Sequence, residues 1–260
     1  MSGNRTSLSR GWESIDSRSD RADHLSIVHR KSEDCHACPP GERPAMFCGI
    51  SPEDYARIYA AARSKTFSRG DMLYREGDPV QQVLLLTSGV VKVTQLGTKG
   101  TEVILRLAVP GDIIGALGLL STGKHGTTAQ AAKAGRALIW DAPTFRSLME
   151  RFPVMRHNLV RVLSQDLLEL EERFREVATE RVGPRLARQL VRLRHAIGRE
   201  VDGAVEISLS REDLAGMTGT TLFTVSRLLS AWAVRGMVKP GREAVTICDV
   251  KSLAALSEES

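Results

Sequence analysis

Apolar side chains have the spacing of β-strands through the first half of the chain. Between residues 66 and about 141, short apolar runs alternate with glycine-containing turns. Many short strands at near-regular spacing predict a β-sandwich or a small barrel. The strand-like runs are 83–86, 90–94, 103–107 and 137–140, and the turn glycines are Gly70, Gly77, Gly89, Gly97, Gly100 and Gly111.

Helices are predicted on both sides of this strand-rich region. Ser51 is suited to cap a short helix, with Pro52 at its first position, where a missing N–H costs nothing. A second helical stretch is expected from about Thr144, just after Pro143.

Between positions 160 and 177 the apolar spacing changes to alternate steps of three and four residues. Such a heptad pattern predicts a long helix whose apolar seam pairs with the same seam of a second copy. The opposite side of the helix is charged, and a helix that lies on its own domain is the alternative interpretation. The predicted dimerisation seam consists of Val160, Leu163, Leu167, Leu170, Phe174 and Val177.

Residues 210–247 have the pattern of a helix-turn-helix followed by a two-stranded wing. Ser210 and Asp213 form a capping-box variant that starts a short helix. Gly219 lies in the following turn, where a positive φ is needed, and Thr221 or the threonine before it caps a second helix that stops at Gly236. A plain helical hairpin is the alternative interpretation.

The outer face of the second helix, near its start, is the part that a recognition helix places in the major groove. Five residues at this end of the helix are therefore predicted to contact DNA. They are Thr221, Phe223, Thr224, Ser226 and Arg227.

The charge balance agrees with a polyanionic partner but does not require one. The chain has 36 basic and 31 acidic side chains, a net charge of +5. Six arginines and no acid lie between Arg181 and Arg199. No phosphate loop, nucleophile elbow or paired acid site is present, so we expect a protein that is not an enzyme.

The N-terminal region carries three cysteines in a chain without a signal peptide or an apolar stretch long enough to span a membrane. A cytoplasmic location is therefore expected. Cys35, Cys38 and Cys48 lie close together in sequence, and in a reducing compartment such a group indicates a metal or redox site. A thiol oxidoreductase is disfavoured, because Cys35-x-x-Cys38 does not follow a strand and open a helix.

The order of glycine-punctuated strands, long helix and winged helix-turn-helix resembles the Crp–Fnr family of regulators. The most specific matches are segments 209–215 and 224–229 and the turns at Gly77, Gly89 and Gly111. The resemblance implies an α+β fold: an N-terminal β-roll like a cyclic-nucleotide-binding jelly roll, a long dimerisation helix and a C-terminal winged helix-turn-helix. It predicts a homodimer that binds double-stranded DNA and works with RNA polymerase.

Two positions depart from the pattern of family members that bind cyclic AMP. Those members carry Glu after the glycine that matches Gly115 and an Arg-Ser or Arg-Thr pair further on. This chain has Ala116 and Gly126-Thr127 there. Losing charge-assisted contacts to the ligand would cost about 2 to 5 kcal/mol, so no useful cyclic-nucleotide binding is expected.

The third departure lies in the recognition helix. Phe223 stands where many family members have a base-reading Glu, whereas Arg227 matches the family arginine that binds a guanine. Arg227 is therefore predicted to read palindromic sites with half-sites of TTG type, with relaxed reading at the position of the absent Glu.

The three N-terminal cysteines resemble the cluster ligands of Fnr-type oxygen sensors. This implies a 4Fe-4S cluster that responds to oxygen or nitric oxide, with a fourth ligand from Asp141, His36 or a nearby acid, since the roll has no cysteine. Zinc, redox-switching thiols, haem or another small molecule in the roll, and no cofactor at all stay open as alternatives.

The expected organisation is an arm at 1–34, a cysteine cluster and sensor roll at 35–155, a dimerisation helix at 156–182 and a DNA-binding domain at 183–260. A regulatory module of the cyclic-nucleotide-binding fold, such as a kinase or channel subunit, is the rival functional class. It would have no use for the winged segment.

Overall fold

The computed structural model describes residues 43–98 and 100–258 of the chain. They form a β-roll, a long helix and a C-terminal helix-turn-helix domain. In chain order the elements are a 3-10 helix (Ala45–Phe47), α1 (Pro52–Ala60), β1 (Arg63–Phe67), β2 (Met72–Tyr74), β3 (Gln82–Leu96), β4 (Glu102–Ala108), β5 (Ile113–Ile114), α2 (Ala116–Leu120), β6 (Thr128–Asp141), α3 (Ala142–Arg151), α4 (Pro153–Thr179), α5 (Val182–Ile197), β7 (Arg199–Val201), β8 (Ala204–Ile207), α6 (Arg211–Thr218), α7 (Leu222–Val234), β9 (Val238–Pro240), β10 (Val245–Ile247) and α8 (Val250–Ser257).

The roll is an antiparallel sheet in the order β1-β6-β3-β4, with β2 paired to β6 and β5 to β3. The runs at 83–86 and 90–94 are parts of one strand, so the predicted turn at Gly89 is wrong. Gly89 lies opposite Gly135 at a shift of register, and a Cβ on Gly89 would come within 2.7 Å of the Cα of Gly135. The glycines let the two strands approach at a bulge without turning the chain.

One side of the roll is closed by aromatic packing against the flanking helices. Trp140 packs against Phe47 and Phe145, and its indole Nε1 donates to the carbonyl of Ile58 at 3.0 Å. The predicted cap of α1 is present, because Ser51 accepts from the backbone N–H of Asp54. This core also includes the first turns of α4.

The C-terminal domain packs its helices around a four-stranded sheet in the order β7-β8-β10-β9. The predicted wing is β9 paired with β10. The short strands β7 and β8 were not predicted, and β8 pairs with the other edge of β10. The apolar side of α5 is buried in this core through Leu186, Leu190, Leu193 and Ile197.

The DNA-binding domain is seated against the roll of the same chain. Ile104 of β4 is buried in the core of the C-terminal domain. Gly216 of α6 lies so close to β4 that an added Cβ would be 3.1 Å from the carbonyl oxygen of Glu102. Lys92 Nζ is 3.0 Å from Asp213 Oδ1, and both side chains are only 16% exposed. The two domains therefore share buried contacts.

Candidate nucleic-acid interface and sensor site

Local sequence signals build the helix-turn-helix. Ser210 and Asp213 make both bonds of a capping box at the start of α6. Gly219 ends that helix in the left-handed conformation, at φ 59°. Thr221 then caps α7 by accepting from the backbone N–H of Thr224. Val225 and the other apolar residues of the inner face of α7 are buried.

The predicted DNA-contacting residues lie together at the start of α7 but differ in accessibility. Phe223 is 83% exposed, and Arg227 is exposed two positions beyond Val225. The hydroxyls of Thr221 and Thr224 are 3.1 Å apart and take part in the helix cap. Phe223 and Arg227 are therefore the side chains of this set that the fold leaves most available.

Arg211, at the first position of α6, was not predicted as part of this surface. Its Nη1 donates to Ser226 Oγ at 3.4 Å, across the angle between the two helices. A basic residue in the first turn of a helix has no sequence signal that distinguishes it from a solvent-exposed charge. Only the packing of α6 on α7 brings it beside the recognition helix.

Part of the positive charge noted between residues 181 and 199 is used within the chain. Arg192 binds both carboxylate oxygens of Glu176, at 2.7 and 3.1 Å, and Arg188 Nη1 lies 3.3 Å from Glu176 Oε1. Arg185 donates to the carbonyls of Val177 and Glu180 at the end of α4. These three arginines join α5 to the long helix and supply no free charge for a polyanion.

The heptad seam of α4 is largely exposed. Five of its six residues are between 41% and 74% exposed, with Phe174 at the upper limit. Leu163 is half-buried because it packs against the core of the roll. Apolar side chains at this spacing, on one face of a helix, form a surface suited to a second copy of the same helix.

The charged side of α4 is held by the same chain. Asp166 Oδ2 lies 3.5 Å from Arg106 Nη2 of β4, and Arg173 Nη1 donates to the carbonyl of Leu105. The helix thus satisfies both interpretations of its pattern, because its polar side packs on its own roll while the apolar seam faces outward.

Two rings of this chain stack beside Gly115, in the region that matches the nucleotide-binding segment of the family. Tyr74 and His125 stack with ring centroids 3.8 Å apart, and His125 Cε1 would lie 3.3 Å from a Cβ on Gly115. Burial lowers the pKa of His125, although Asp78 opposes this by favouring the charged form. Gly115 itself has φ 84°.

The predicted cysteine site lies only partly within the described residues. Cys35, Cys38 and His36 fall outside them. Cys48 is 6% exposed, directly after the 3-10 helix, and is disulfide-bonded. Asp141 caps α3 by accepting from the N–H of Thr144 at 2.8 Å. Hydrogen bonds from Thr144 lower the pKa of Asp141.

Two of the three predicted cysteine ligands lie outside the described residues, and the two candidate ligands within them, Cys48 and Asp141, are engaged in other bonds. Cluster binding needs thiolate ligands, but the thiol of Cys48 is engaged in a disulfide and the proposed ligand Asp141 has a structural role. Within 43–98 and 100–258 there is no group of three or more His, Cys, Asp or Glu side chains that could hold a metal ion.

The exposed Phe223 and Arg227 at the start of α7, the wing beside it and the exposed seam of α4 define the class of protein. It is a DNA-binding transcription regulator of the winged helix-turn-helix type. Among the described helices, none has the length and apolarity needed to cross a membrane.

Comparison with known proteins gives the family. Residues 64–152 match the cyclic nucleotide-binding domain, and residues 184–256 match the Crp-like helix-turn-helix domain. The chain belongs to the Crp–Fnr family of transcription regulators. The predicted fold class, with roll, long helix and C-terminal helix-turn-helix, is thereby confirmed.

Relatives within this family are named for different signals. The chain is 28% identical over 214 residues to the CRP-like cAMP-activated global transcriptional regulator of Mycobacterium tuberculosis, covering 82% of this chain and 96% of that protein. It is 24% identical to the fumarate and nitrate reduction regulatory protein of Salmonella typhimurium, covering 75% and 78%. A Crp–Fnr regulator structure from Thermus thermophilus superposes with a TM-score of 0.65 at 25% identity, covering 76% and 99%.

Proposed function

We propose that this regulator is a homodimer that reads a palindromic DNA site and responds to a redox or gas signal, oxygen or nitric oxide, through its N-terminal cysteines. The proposal keeps the division into a sensor at 35–155, a dimerisation helix at 156–182 and a DNA-binding domain at 183–260. RNA polymerase is the expected protein partner.

Two copies joined along the seam of α4 would present two α7 helices to one face of the duplex. In dimeric helix-turn-helix proteins the half-sites are one helical turn apart, about 34 to 36 Å. Arg227 would contact the guanine of a TTG-type half-site with its two parallel N–H donors, and Phe223 would lie against a thymine methyl. The exposure of both side chains supports this assignment.

The link between the cysteine segment and the dimerisation helix carries the signalling part of the proposal. The buried side chain of Asn158, in the second turn of α4, donates to the carbonyls of Met46 at 3.2 Å and Cys48 at 2.6 Å. An amide that binds two carbonyls of one segment moves with that segment, and an unmet buried donor is costly. A chemical change at Cys48 would therefore be felt at the start of the dimerisation helix.

The disulfide at Cys48 favours thiol chemistry as the form of this response. When two thiols form a disulfide they lose two electrons and two protons, so an oxidant such as a peroxide, or molecular oxygen, must be consumed. A 4Fe-4S cluster on Cys35, Cys38 and Cys48 is the competing form, and it requires the reduced thiolates. Zinc, haem and the absence of any cofactor are further outcomes of the test below.

The test is anaerobic purification followed by an absorbance spectrum, iron and sulfide analysis, and thiol counting, each repeated after exposure to oxygen and to nitric oxide. DNA binding is measured in parallel. A Cys48→Ser variant should lose the response of DNA affinity to oxidant, while Cys248→Ser, which removes the exposed free thiol of the C-terminal domain, should keep it. An unchanged response in the Cys48 variant would disprove the role of this cysteine.

Cyclic AMP is not the proposed signal, because Ala116 and Gly126 stand where family members that bind it carry Glu and Arg. Calorimetry is expected to give no binding of cyclic AMP in the micromolar range. Micromolar affinity would contradict this part of the proposal.

A further inference from the structure

A half-buried arginine joins the roll to the long helix near the stack of Tyr74 on His125. The side chain of Arg106, on β4, is 22% exposed and lies between Asp112 of the roll and Asp166 of α4, with N–O distances of 3.5 Å to each carboxylate. Its Nη2 also donates to the carbonyl of Ile113 at 3.0 Å. The planar guanidinium has five fixed donors, which suits it to bridge acceptors on different elements.

The roll side of this bridge is held in place independently of the helix. Asp112 Oδ2 accepts from the backbone N–H of Val109 at 3.1 Å across the turn that contains Gly111. Arg106 is held by Asp112 and by the Ile113 carbonyl, both within the roll. Asp166 is the partner that belongs to α4, so the Arg106–Asp166 pair joins this part of the helix to the roll, as the bond from Arg173 to the carbonyl of Leu105 does further along.

Two acidic side chains would face each other if the guanidinium were removed. Asp112 is 6% exposed and Asp166 is 15% exposed. Burial lowers the pKa of Arg106, but Asp166 and Asp112, together with Tyr74 and Glu169, raise it, and the net shift is upward, so the charged form is favoured. Removing one partner of such a buried group leaves uncompensated charge, which is strongly unfavourable.

We propose that Arg106 is an internal positioning residue that holds α4 against its own roll, so that the dimerisation helix is placed without a bound effector. Tyr74, which stacks on His125, lies near Arg106 and interacts with it electrostatically, so the surroundings of the arginine on this side are supplied by the chain itself. A group that is already part of the fold orders the helix at no entropic cost of ligand capture. The inference rests on the proposed dimeric DNA-binding function.

The test replaces the arginine and then supplies its head group in solution. Arg106→Ala should reduce affinity for a palindromic TTG-type duplex at least tenfold and increase amide hydrogen exchange across residues 160–173 of α4. About 10 to 20 mM guanidinium chloride should restore both toward wild type, because the ion can enter between the two carboxylates. The same concentration of sodium chloride should not restore them.

Two further variants make the result specific. Asp166→Asn keeps Arg106 and its roll partners, so the roll should fold. This variant should also lose at least tenfold in affinity, with no rescue by guanidinium. Arg136→Ala, which removes an exposed arginine of β6, should behave like wild type.

The positioning role of Arg106 would be disproved if Arg106→Ala and Asp166→Asn bound DNA like wild type and the amide hydrogen exchange of α4 were unchanged. It would equally be disproved if the loss in Arg106→Ala did not respond to guanidinium. Failure of the proposed function is recognised separately, because the wild-type protein would then be monomeric or would bind DNA without sequence preference. The hydrogen-exchange experiment would still test the positioning role of Arg106.

Discussion

The DNA-binding domain and the roll each have a left-handed glycine before a helix, but the residues around the two glycines differ in exposure. In each domain a left-handed glycine precedes a helix, Gly219 before α7 and Gly115 before α2. Beyond Gly219 the helix presents Phe223 and an exposed Arg227 to solvent. Beside Gly115 the stacked rings of Tyr74 and His125 close the space. One domain thus keeps exposed side chains for a partner, and in the other two side chains of the same chain stack on each other beside the glycine.

This difference shows that a domain can keep the fold of its family without keeping the residues that bind the family's ligand. The sequence of the roll, residues 64–152, matches the cyclic nucleotide-binding domain, but the fold by itself does not supply the side chains that hold a nucleotide. The side chains on the outer face of α7 stay exposed because they have no role in the core. Substitutions in both domains can test this difference.

The largest effect is expected from the seam of α4. The double substitution of Leu167 and Phe174 by Glu should abolish dimerisation, since uncompensated charge in an interface costs about 3 to 5 kcal/mol. Affinity for a palindrome should fall at least 100-fold. Analytical ultracentrifugation gives the oligomeric state. Leu168→Glu is the matched control, because Leu168 is 58% exposed and lies off the seam; a dimer that survived the double change would place the interface elsewhere.

A smaller loss is expected at the recognition helix. Arg227→Ala should weaken binding to a cognate duplex by about 1 to 3 kcal/mol, since a bidentate contact to guanine is lost. Fluorescence anisotropy with cognate and scrambled duplexes measures both affinity and specificity. Arg235→Ala, at the far end of α7, removes an exposed arginine without touching the predicted surface. Equal losses in the two variants would show that only general charge is at work.

The contact between the two domains should contribute less. Lys92→Met removes the buried partner of Asp213 and should lower the free energy of unfolding by about 1.5 kcal/mol, as for a hydrogen bond to a charged group. Burial raises the pKa of Asp213, but hydrogen bonds from Ser210 and Lys92 outweigh it, so the pKa is lowered. The stabilisation should therefore be lost as the pH falls below the ordinary range of an aspartate.

Arg69→Met is the control for that experiment. Its partner Glu243 is 2.7 Å away, but both side chains are more than half exposed, so a negligible change is expected. Chemical denaturation of both variants between pH 3 and 7 measures the difference. A Lys92 variant as stable as the Arg69 variant would mean that the buried pair adds nothing to domain docking.

The smallest effect is expected from the stack of Tyr74 on His125. His125→Gln should cost about 1 kcal/mol through the lost ring stack. Because burial lowers the pKa of His125 in the folded state, the unfolded chain binds the proton more readily. Wild-type stability should thus fall as the pH drops below about 6.5.

Thermal denaturation from pH 7.5 to 5 should show a flatter profile for His125→Gln than for wild type. His157→Gln, which changes an exposed histidine of α4, should retain the wild-type slope. If both variants had identical slopes, His125 would not be the group responsible.

Local signals in the sequence were sufficient where the structure depends on neighbouring residues. The caps at Ser51, Ser210 and Thr221 form as predicted, because each side chain reaches a backbone N–H three residues away. The heptad spacing of α4 and the wing strands were visible for the same reason. The strands β1, β2 and β5 were missed, since they are short or polar and are stabilised by pairing with β3 and β6.

The sequence alone determined the order of roll, long helix and helix-turn-helix and the resemblance to the family, because periodicity, caps and turn glycines act over a few residues. Only the tertiary structure decided which side chains pair with one another. Arg106 meets Asp166, Arg192 meets Glu176 and Tyr74 meets His125 across separations of 16 to 60 residues. Pairings at such distances depend on how whole elements pack, and no spacing rule along the chain encodes them.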